Sequence, residues 1–149
     1  MRYFNASITA FFGSLVFSGI AHAWISKEWH TQSLMEESTL VVVAEPRGKT
    51  VIAARQHFPY ASDPNVYVDD VATTFEVILV VKGRVNGKTV VLHHQRFAKD
   101  SDPMVSGPSL IEFKIGGGQR YLLFLNREFN GNAVATSGLF DQSAIVLLK

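Results

Sequence analysis

Residues 73–94 read TTFEVILVVKGRVNGKTVVLHH, and this stretch decides the fold class. Its two arms are rich in β-branched and aromatic residues, which favour extended strands. Lys82-Gly83 ends the first arm, and Asn86-Gly87 supplies the two residue types that best adopt the positive φ of a tight hairpin turn. The stretch therefore predicts a β-hairpin with strands at 73–81 and 89–94.

Apolar runs on either side of this hairpin predict further strands. Residues 39–45 form a nearly continuous β-branched run that ends before Pro46, which is typical of a central strand. The runs 121–125 and 133–136 flank Asn130-Gly131, a second hairpin signal. Other segments are a second strand or the far side of a bulge at 50–54, the longest loop at 56–70, a short element at 110–113, and a strand or helix at 144–148.

A short helix precedes the strands. Either Thr31 or Ser33 is expected to cap it, and Glu36 completes a capping box with Ser33. Five or six strands with tight turns and one short helix indicate an all-β fold with minor α content, an antiparallel barrel or sandwich with the helix packed outside. Because strands such as 121–125 are apolar on both faces, the helix, the C-terminal run or a dimer partner must cover the outer face.

The first 23 residues have the composition of a secretory signal peptide. Arg2 is their only charge, an apolar middle follows, and Ala21-His22-Ala23 supplies the small residues of a cleavage site before Trp24. Serines and glycines interrupt the apolar run, which leaves it short for the ~20 residues that span a bilayer. We therefore expect a signal peptide at 1–23, a mature domain at 24–149 and a periplasmic or secreted protein. An uncleaved membrane anchor is the alternative.

Charge and cysteine content exclude several classes of function. Removing residues 1–23 takes away one arginine and no acid, which leaves 13 basic and 13 acidic residues and a formal net charge of zero. Nucleic-acid binding usually needs a clustered basic surface, so we expect no nucleic-acid partner. The chain contains no cysteine, which excludes disulfides, thiolate metal sites and a cysteine nucleophile.

Histidines and aspartates are the residues that hydrolysis or metal binding would use, but their spacing in the sequence does not define an active site. His93 and His94 are neighbours on a strand and point to opposite faces, so a shared metal would need His30 or His57 as well. We assign no catalytic residue, metal ligand or cofactor, and predict a non-enzymatic binding module. The alternative is a small envelope hydrolase or metal-dependent enzyme that uses His57, His93 or His94 with Asp69, Asp70, Asp100 or Asp102.

Exposed aromatic side chains are the expected recognition surface of this module. OB-folds bind oligonucleotides or sugars across one face, and the export signal with the neutral charge favours an envelope or extracellular protein, peptide or glycan. A homodimer is a further option. Scattered histidines with an exposed aromatic or apolar face would favour the binding module, whereas a polar cluster converging in one pocket would favour the enzyme. The aromatic candidates are Tyr60, Tyr67, Phe97 and Phe129.

Four short motifs follow one another along the chain. They are Ser38-Thr39-Leu40-Val41-Val42-Val43-Ala44, Phe75-Glu76-Val77 leading to Val81-Lys82-Gly83, Gly118-Gln119-Arg120-Tyr121-Leu122-Leu123-Phe124-Leu125, and Ser137-Gly138-Leu139-Phe140-Asp141. With the short helix, they resemble the netrin-like, TIMP-like OB-fold domains found in poorly characterised exported bacterial proteins, over residues 33–142. Tissue inhibitors of metalloproteinases place an N-terminal cysteine on the zinc of their target. This chain would begin at Trp24 and has no cysteine, so the resemblance implies an OB-like barrel without protease inhibition.

Overall fold

The computed structural model describes residues 28–59, 61–102, 110–128, 131–139 and 141–149, and every structural statement below concerns these residues. The elements in chain order are α1 (Thr31–Glu37), β1 (Leu40–His57), β2 (Tyr67–Lys82), β3 (Thr89–Phe97), β4 (Arg120–Arg127), β5 (Ala133–Ala135), a 3-10 helix (Gln142–Ala144) and β6 (Ile145–Leu148). The signal peptide predicted at 1–23 and its cleavage site between Ala23 and Trp24 lie outside the described residues. In the described ranges, no helix has the length and apolar character needed to cross a membrane.

Five of the six described strands form a barrel-like ring. β1 pairs with β2 and β4, β2 with β3, and β4 with β5, all antiparallel, and a parallel pairing of β3 with β5 closes the ring. The sixth strand, β6, pairs antiparallel with the first half of β4. The predicted all-β fold with minor α content is confirmed, and the ring is barrel-like, with one exception to the predicted antiparallel order. A closed ring with an odd number of strands cannot alternate in direction everywhere, so one pairing must be parallel.

Alternate side chains of the ring strands fill its interior. Phe75, Phe113 and Tyr121 meet edge to face, with ring centroids 4.9 Å (Phe75–Phe113), 5.1 Å (Phe113–Tyr121) and 6.3 Å (Phe75–Tyr121) apart, which is the geometry that aromatic pairs prefer. The buried interior cluster consists of Leu40, Val42, Ala44, Phe75, Leu92, Phe113, Tyr121, Leu123, Leu125 and Ala133.

The helix α1 covers part of the outer face of the ring. Its buried residue Leu34 packs with Val41 and Phe124, which alternate with interior residues along β1 and β4. Ala135 and Ala144 complete this second buried cluster. The helix and the C-terminal segment therefore cover part of the outer face, as predicted from strands that are apolar on both faces.

The helix begins differently from the sequence prediction. His30 occupies the N-cap position without a side-chain capping bond, and Thr31 and Ser33 both lie within the helix. The predicted cap and capping box are therefore wrong, because neither hydroxyl stands before the first turn. Instead, Glu36 accepts a hydrogen bond of 3.0 Å from the side chain of Gln32, one turn earlier.

The first two strands are longer than predicted, and 58–66 replaces 56–70 as the loop between them. β1 continues through Pro46, because its pairing with β4 ends at Ala44 and the missing N–H of proline then faces no strand on that side. Shifts of register accompany this continuation, so the bulge interpretation of 50–54 is confirmed. The segment 110–113 has no regular secondary structure.

Candidate binding surface

His94 is a buried structural residue. It is 6% exposed, its Nε2 shares a hydrogen bond of 2.8 Å with Thr73 Oγ1, and its ring meets Phe113 edge-on at 5.0 Å. The pKa of His94 is lowered from its ordinary 6.5 to about 4, chiefly by burial and in smaller part by the positive charge of nearby Lys49. The imidazole is therefore neutral at physiological pH and part of the interior packing.

The other histidines of the predicted alternative site lie elsewhere. His93 is on the opposite face of β3 from His94, as predicted, and accepts a hydrogen bond of 2.8 Å from Asn132 Nδ2. Its Nδ1 lies 3.2 Å from a carboxylate oxygen of Glu128. His57, at the exposed end of β1, meets the ring of Tyr67 edge to face, with the ring centroids 6.4 Å apart. The histidines therefore do not converge.

Asp69 is the centre of a buried ion-pair network at one end of the ring. Its Oδ1 accepts the backbone N–H of Arg55 at 3.0 Å, and its Oδ2 accepts two bonds of 3.0 and 3.2 Å from the Arg96 guanidinium. Arg96 also contacts Glu112 at 3.2 Å, and Glu112 pairs with Lys49 at 2.8 Å. The bond from Lys49 is the largest cause of the lowered pKa of Glu112. This carboxylate cluster is therefore neutralised by its own cations.

The remaining aspartates are also held apart from the histidines. Asp70 accepts hydrogen bonds of 2.8 and 2.6 Å from the side chains of Gln56 and Gln95, and Asp100 pairs with Arg55. Asp102 is exposed. In the part of the chain that the structure describes, no histidine shares a hydrogen bond or ion pair with these aspartates. Nor do three His, Asp or Glu side chains come close enough there to hold a metal ion.

Two of the four aromatic candidates serve packing rather than an exposed surface. The guanidinium of Arg55 lies 4.6 Å from the ring centroid of Tyr67, and Phe97 meets Phe58 edge-on at 6.1 Å in a small cluster beneath the β1–β2 loop. Tyr60 and Phe129 lie outside the described residues. Among the described residues, these aromatic candidates therefore form no exposed recognition surface.

An apolar row crosses four strands on the outer face of the sheet. Leu79 of β2 pairs with Val43 of β1, Val43 with Leu122 of β4, and Leu122 with Val146 of β6. Directly paired residues project from the same face, so these four side chains, here called the outer row, lie side by side. Leu79 is 57% and Val146 is 42% exposed. An exposed apolar band of this kind marks an interaction surface.

The outer row is bounded on both sides along the strands. On one side, helix α1 covers the neighbouring residues of β1 and β4. On the other side, Glu45 and Glu76 are paired and both contact Arg47, at 3.1 and 2.6 Å. The row is therefore an apolar strip with a polar border, as in the apolar centre and polar rim of protein interfaces.

The outer row ends at an open strand edge. Within the described ranges β6 pairs with β4 alone, so its other edge presents unpaired backbone N–H and C=O groups. Leu147 and Leu148 are exposed beside Val146. The sequence shows that these residues are apolar, but not that they lie side by side across the strands. Their side-by-side position depends on register shifts in β1 between Val41 and Ala44.

Comparison with known proteins adds no further information on this surface. No family model matches the chain, and no curated protein shows significant similarity to it. The functional argument therefore rests on the geometry of the ring, the ion pairs and the outer row.

Proposed function

We propose that the chain is an exported, non-enzymatic binding module that holds an extended segment of another envelope or extracellular protein along β6. The outer row carries this proposal, because four neighbouring apolar side chains lead directly to an unpaired strand edge. Addition of a strand to such an edge gains affinity from main-chain hydrogen bonds and specificity from alternate side chains.

The surroundings of β6 define the chemistry of the segment that fits. A strand added to this edge places one side chain beside Val146, where an apolar residue extends the outer row. The side chain two residues away lies beside Leu148, which pairs with Arg120. An acidic residue there complements the arginine. The partner segment therefore alternates apolar and acidic residues on the outer face.

The alternative of a small envelope hydrolase or metal-dependent enzyme receives less support. His57, His93 and His94 occupy three separate environments. Of the four aspartates proposed to work with them, Asp69, Asp70 and Asp100 are bound by cations and amides, and Asp102 is exposed. Such pairing holds side chains in place and leaves them without a reacting partner. The resemblance to netrin-like, TIMP-like domains is part of the proposal, and the OB-like ring agrees with it.

Export is tested by intact mass and cell fractionation of the expressed full-length chain. We expect a mass that corresponds to a start at Trp24, in a soluble envelope fraction. An uncleaved chain in the membrane or the cytosol would contradict export and remove the compartment-based argument against nucleic acid.

Binding at β6 is tested by photo-cross-linking in cells that express the protein. A photoreactive residue replaces Leu147 on the open edge or, as the control, the exposed Glu112 at the end of the ring. We expect cross-links to a different protein from position 147 alone, and their loss when Val146→Lys is added. Equal cross-linking from both positions, or persistence after Val146→Lys, would contradict the proposal. A product of twice the chain mass would replace it by a homodimer.

A further inference from the structure

A gap interrupts the wall of the ring between β3 and the turn that joins β4 to β5. β3 pairs with β5 only at Leu92 and His93, so the preceding residues Thr89–Val91 face no strand on that side among the described residues. A cavity of about 260 Å³ opens at this point. Its lining includes Leu40, Asn86, Val90, Arg127, Asn132 and Ala133.

One wall of this cavity is a strand edge with available hydrogen-bonding groups. The N–H of Val77 donates to the carbonyl oxygen of Lys88 at 2.8 Å, which identifies these two residues as a bonded pair. Bonded pairs alternate along antiparallel strands, so Val90 bonds to β2 as well. The backbone groups of the residues between, Thr89 and Val91, therefore point away from β2. The parallel pairing of Leu92 with Ala133 engages the carbonyl oxygen of Val91, so the N–H and C=O of Thr89 and the N–H of Val91 face the gap.

The polar side of the cavity attracts an anion. Arg127 donates one guanidinium N–H to the carbonyl oxygen of Arg84, which holds its side chain against the β2–β3 hairpin and leaves further N–H groups of its five for a ligand. The amides of Asn86 and Asn132 lie beside it. The neighbouring acid, Glu128, is directed to His93 at 3.2 Å. A carboxylate fits this donor set, because arginine can bind both of its oxygens.

The size of the cavity limits the ligand to the end of a longer molecule. Pockets for complete small ligands measure about 300–1,000 Å³, and this one is smaller. Its floor is apolar, formed by Leu40, Val90 and Ala133. The cavity therefore combines a strand edge, a cation and an apolar floor within the space of one chain end.

We propose that this gap binds the C-terminal end of an extended peptide. The peptide backbone pairs with the edge of Thr89 and Val91, its terminal carboxylate bonds to Arg127, and its last side chain, which is apolar, lies over Leu40 and Val90. Backbone pairing and capture of a terminal carboxylate are two established ways of recognising peptides, and here they meet in one cavity. The site is separate from the outer row and does not depend on it.

The test uses two forms of one pentapeptide library, mixed in equal amounts: one with free C-terminal carboxylates and one with C-terminal amides. The mixture is passed over the immobilised protein. We expect the carboxylates to be retained at least tenfold over the amides, with apolar last residues enriched. Arg127→Met should abolish this preference, whereas Lys99→Met, which removes an exposed cation outside both the cavity and the outer row, should leave it unchanged.

A second readout locates the bound peptide independently of the variants. In amide NMR spectra of the wild-type protein, the retained peptides should shift Thr89, Val91 and Asn132 and leave Val146 unaffected. Equal retention of acids and amides, retention of neither, or shifts confined to β6 would overturn the proposal. Of these outcomes, only shifts confined to β6 would at the same time support peptide binding at the outer row.

Discussion

The carboxylate of Asp69 and the guanidinium of Arg96 face each other across β2 and β3, 3.0 Å apart and both largely buried. The second oxygen of Asp69 accepts the backbone N–H of Arg55, a non-glycine residue with φ of 52°. Left-handed backbone is uncommon outside glycine. One carboxylate therefore neutralises a buried cation and also stabilises an unfavourable bulge in the neighbouring strand.

Replacing Asp69 should test both contributions at once. We expect Asp69→Asn to lower the free energy of unfolding by about 2 kcal/mol, because the largely buried Arg96 loses the carboxylate to which it makes two hydrogen bonds and keeps the more exposed Glu112. Urea denaturation of the purified mature domain measures this loss. Asp102→Asn, at an exposed aspartate, is the matched control and should change the midpoint little. Equal effects of the two substitutions would show that the Asp69 network contributes nothing.

The buried His94 makes stability depend on pH. Its folded pKa of about 4 lies below the ordinary 6.5, so the unfolded chain binds a proton that the folded chain does not. Stability from this residue is complete above pH 6.5 and falls as the pH drops towards 4, by about 3 kcal/mol in total.

Urea midpoints between pH 7.5 and 4.5 measure this effect. His94→Gln should flatten most of the slope, and His57→Gln, at an exposed histidine, should leave it intact. An NMR titration of the wild-type protein provides a check that needs no variant, since a His94 pKa near 6.5 would contradict the prediction.

Two glycines of the β2–β3 hairpin form a matched pair for a steric test. Gly83 and Gly87 both have positive φ, but a Cβ at Gly83 would clash with the carbonyl oxygen of Thr39, whereas a Cβ at Gly87 meets open space. Gly87→Ala should cost about 1 kcal/mol from its backbone conformation alone. Gly83→Ala should cost about 3 kcal/mol, because the start of β1 must move. Thermal denaturation of both variants compares the losses, and similar melting temperatures would contradict the predicted contact.

The contribution of the outer helix can be measured at Leu34. We expect Leu34→Ala to destabilise the protein by about 3 kcal/mol, since it leaves a cavity over Val41 and Phe124. Gln32→Ala, on the exposed side of the same helix, should cost a few tenths of a kcal/mol, the value of one helical side-chain pair. If both variants unfold at the same urea concentration, the helix does not stabilise the ring.

The sequence predicts those features of the fold that depend on local chemistry. Asn86-Gly87 indicates a hairpin between β2 and β3, but the tight turn predicted at these two residues is wrong. Glu76 pairs with Thr89, which centres the hairpin on Lys82-Gly83, and of the two predicted turn residues Gly87 alone has positive φ. The end of β2 at Lys82 follows from Gly83, whose positive φ is a local requirement. The end of that strand has a further role in the structure. Lys82 Nζ donates to the carbonyl oxygens of Met35 and Glu36, at 2.6 and 3.1 Å, and so stabilises the end of α1.

Features that depend on the whole sheet escape sequence reasoning. Pro46 ends a strand by its local preference, yet β1 continues because β4 no longer pairs with it there. The outer row requires bulges that bring Leu79 opposite Val43, and strict alternation from Phe75 assigns Leu79 to the inner face. Alternation along β3 was sufficient to predict that His93 and His94 point to opposite faces. Their hydrogen-bond partners, Asn132 and Thr73, lie on other strands or turns and could be identified only in the folded ring.

The parallel contact between β3 and β5, only Leu92 and His93 against Ala133 and Val134, has a kinetic consequence. Local unfolding begins where few hydrogen bonds join neighbouring segments. Amides of β5 should therefore exchange with deuterated solvent well before those of β1 and β2, which pair over most of their length. We therefore expect the wall of the ring to open first at this junction, while the long antiparallel strands stay protected.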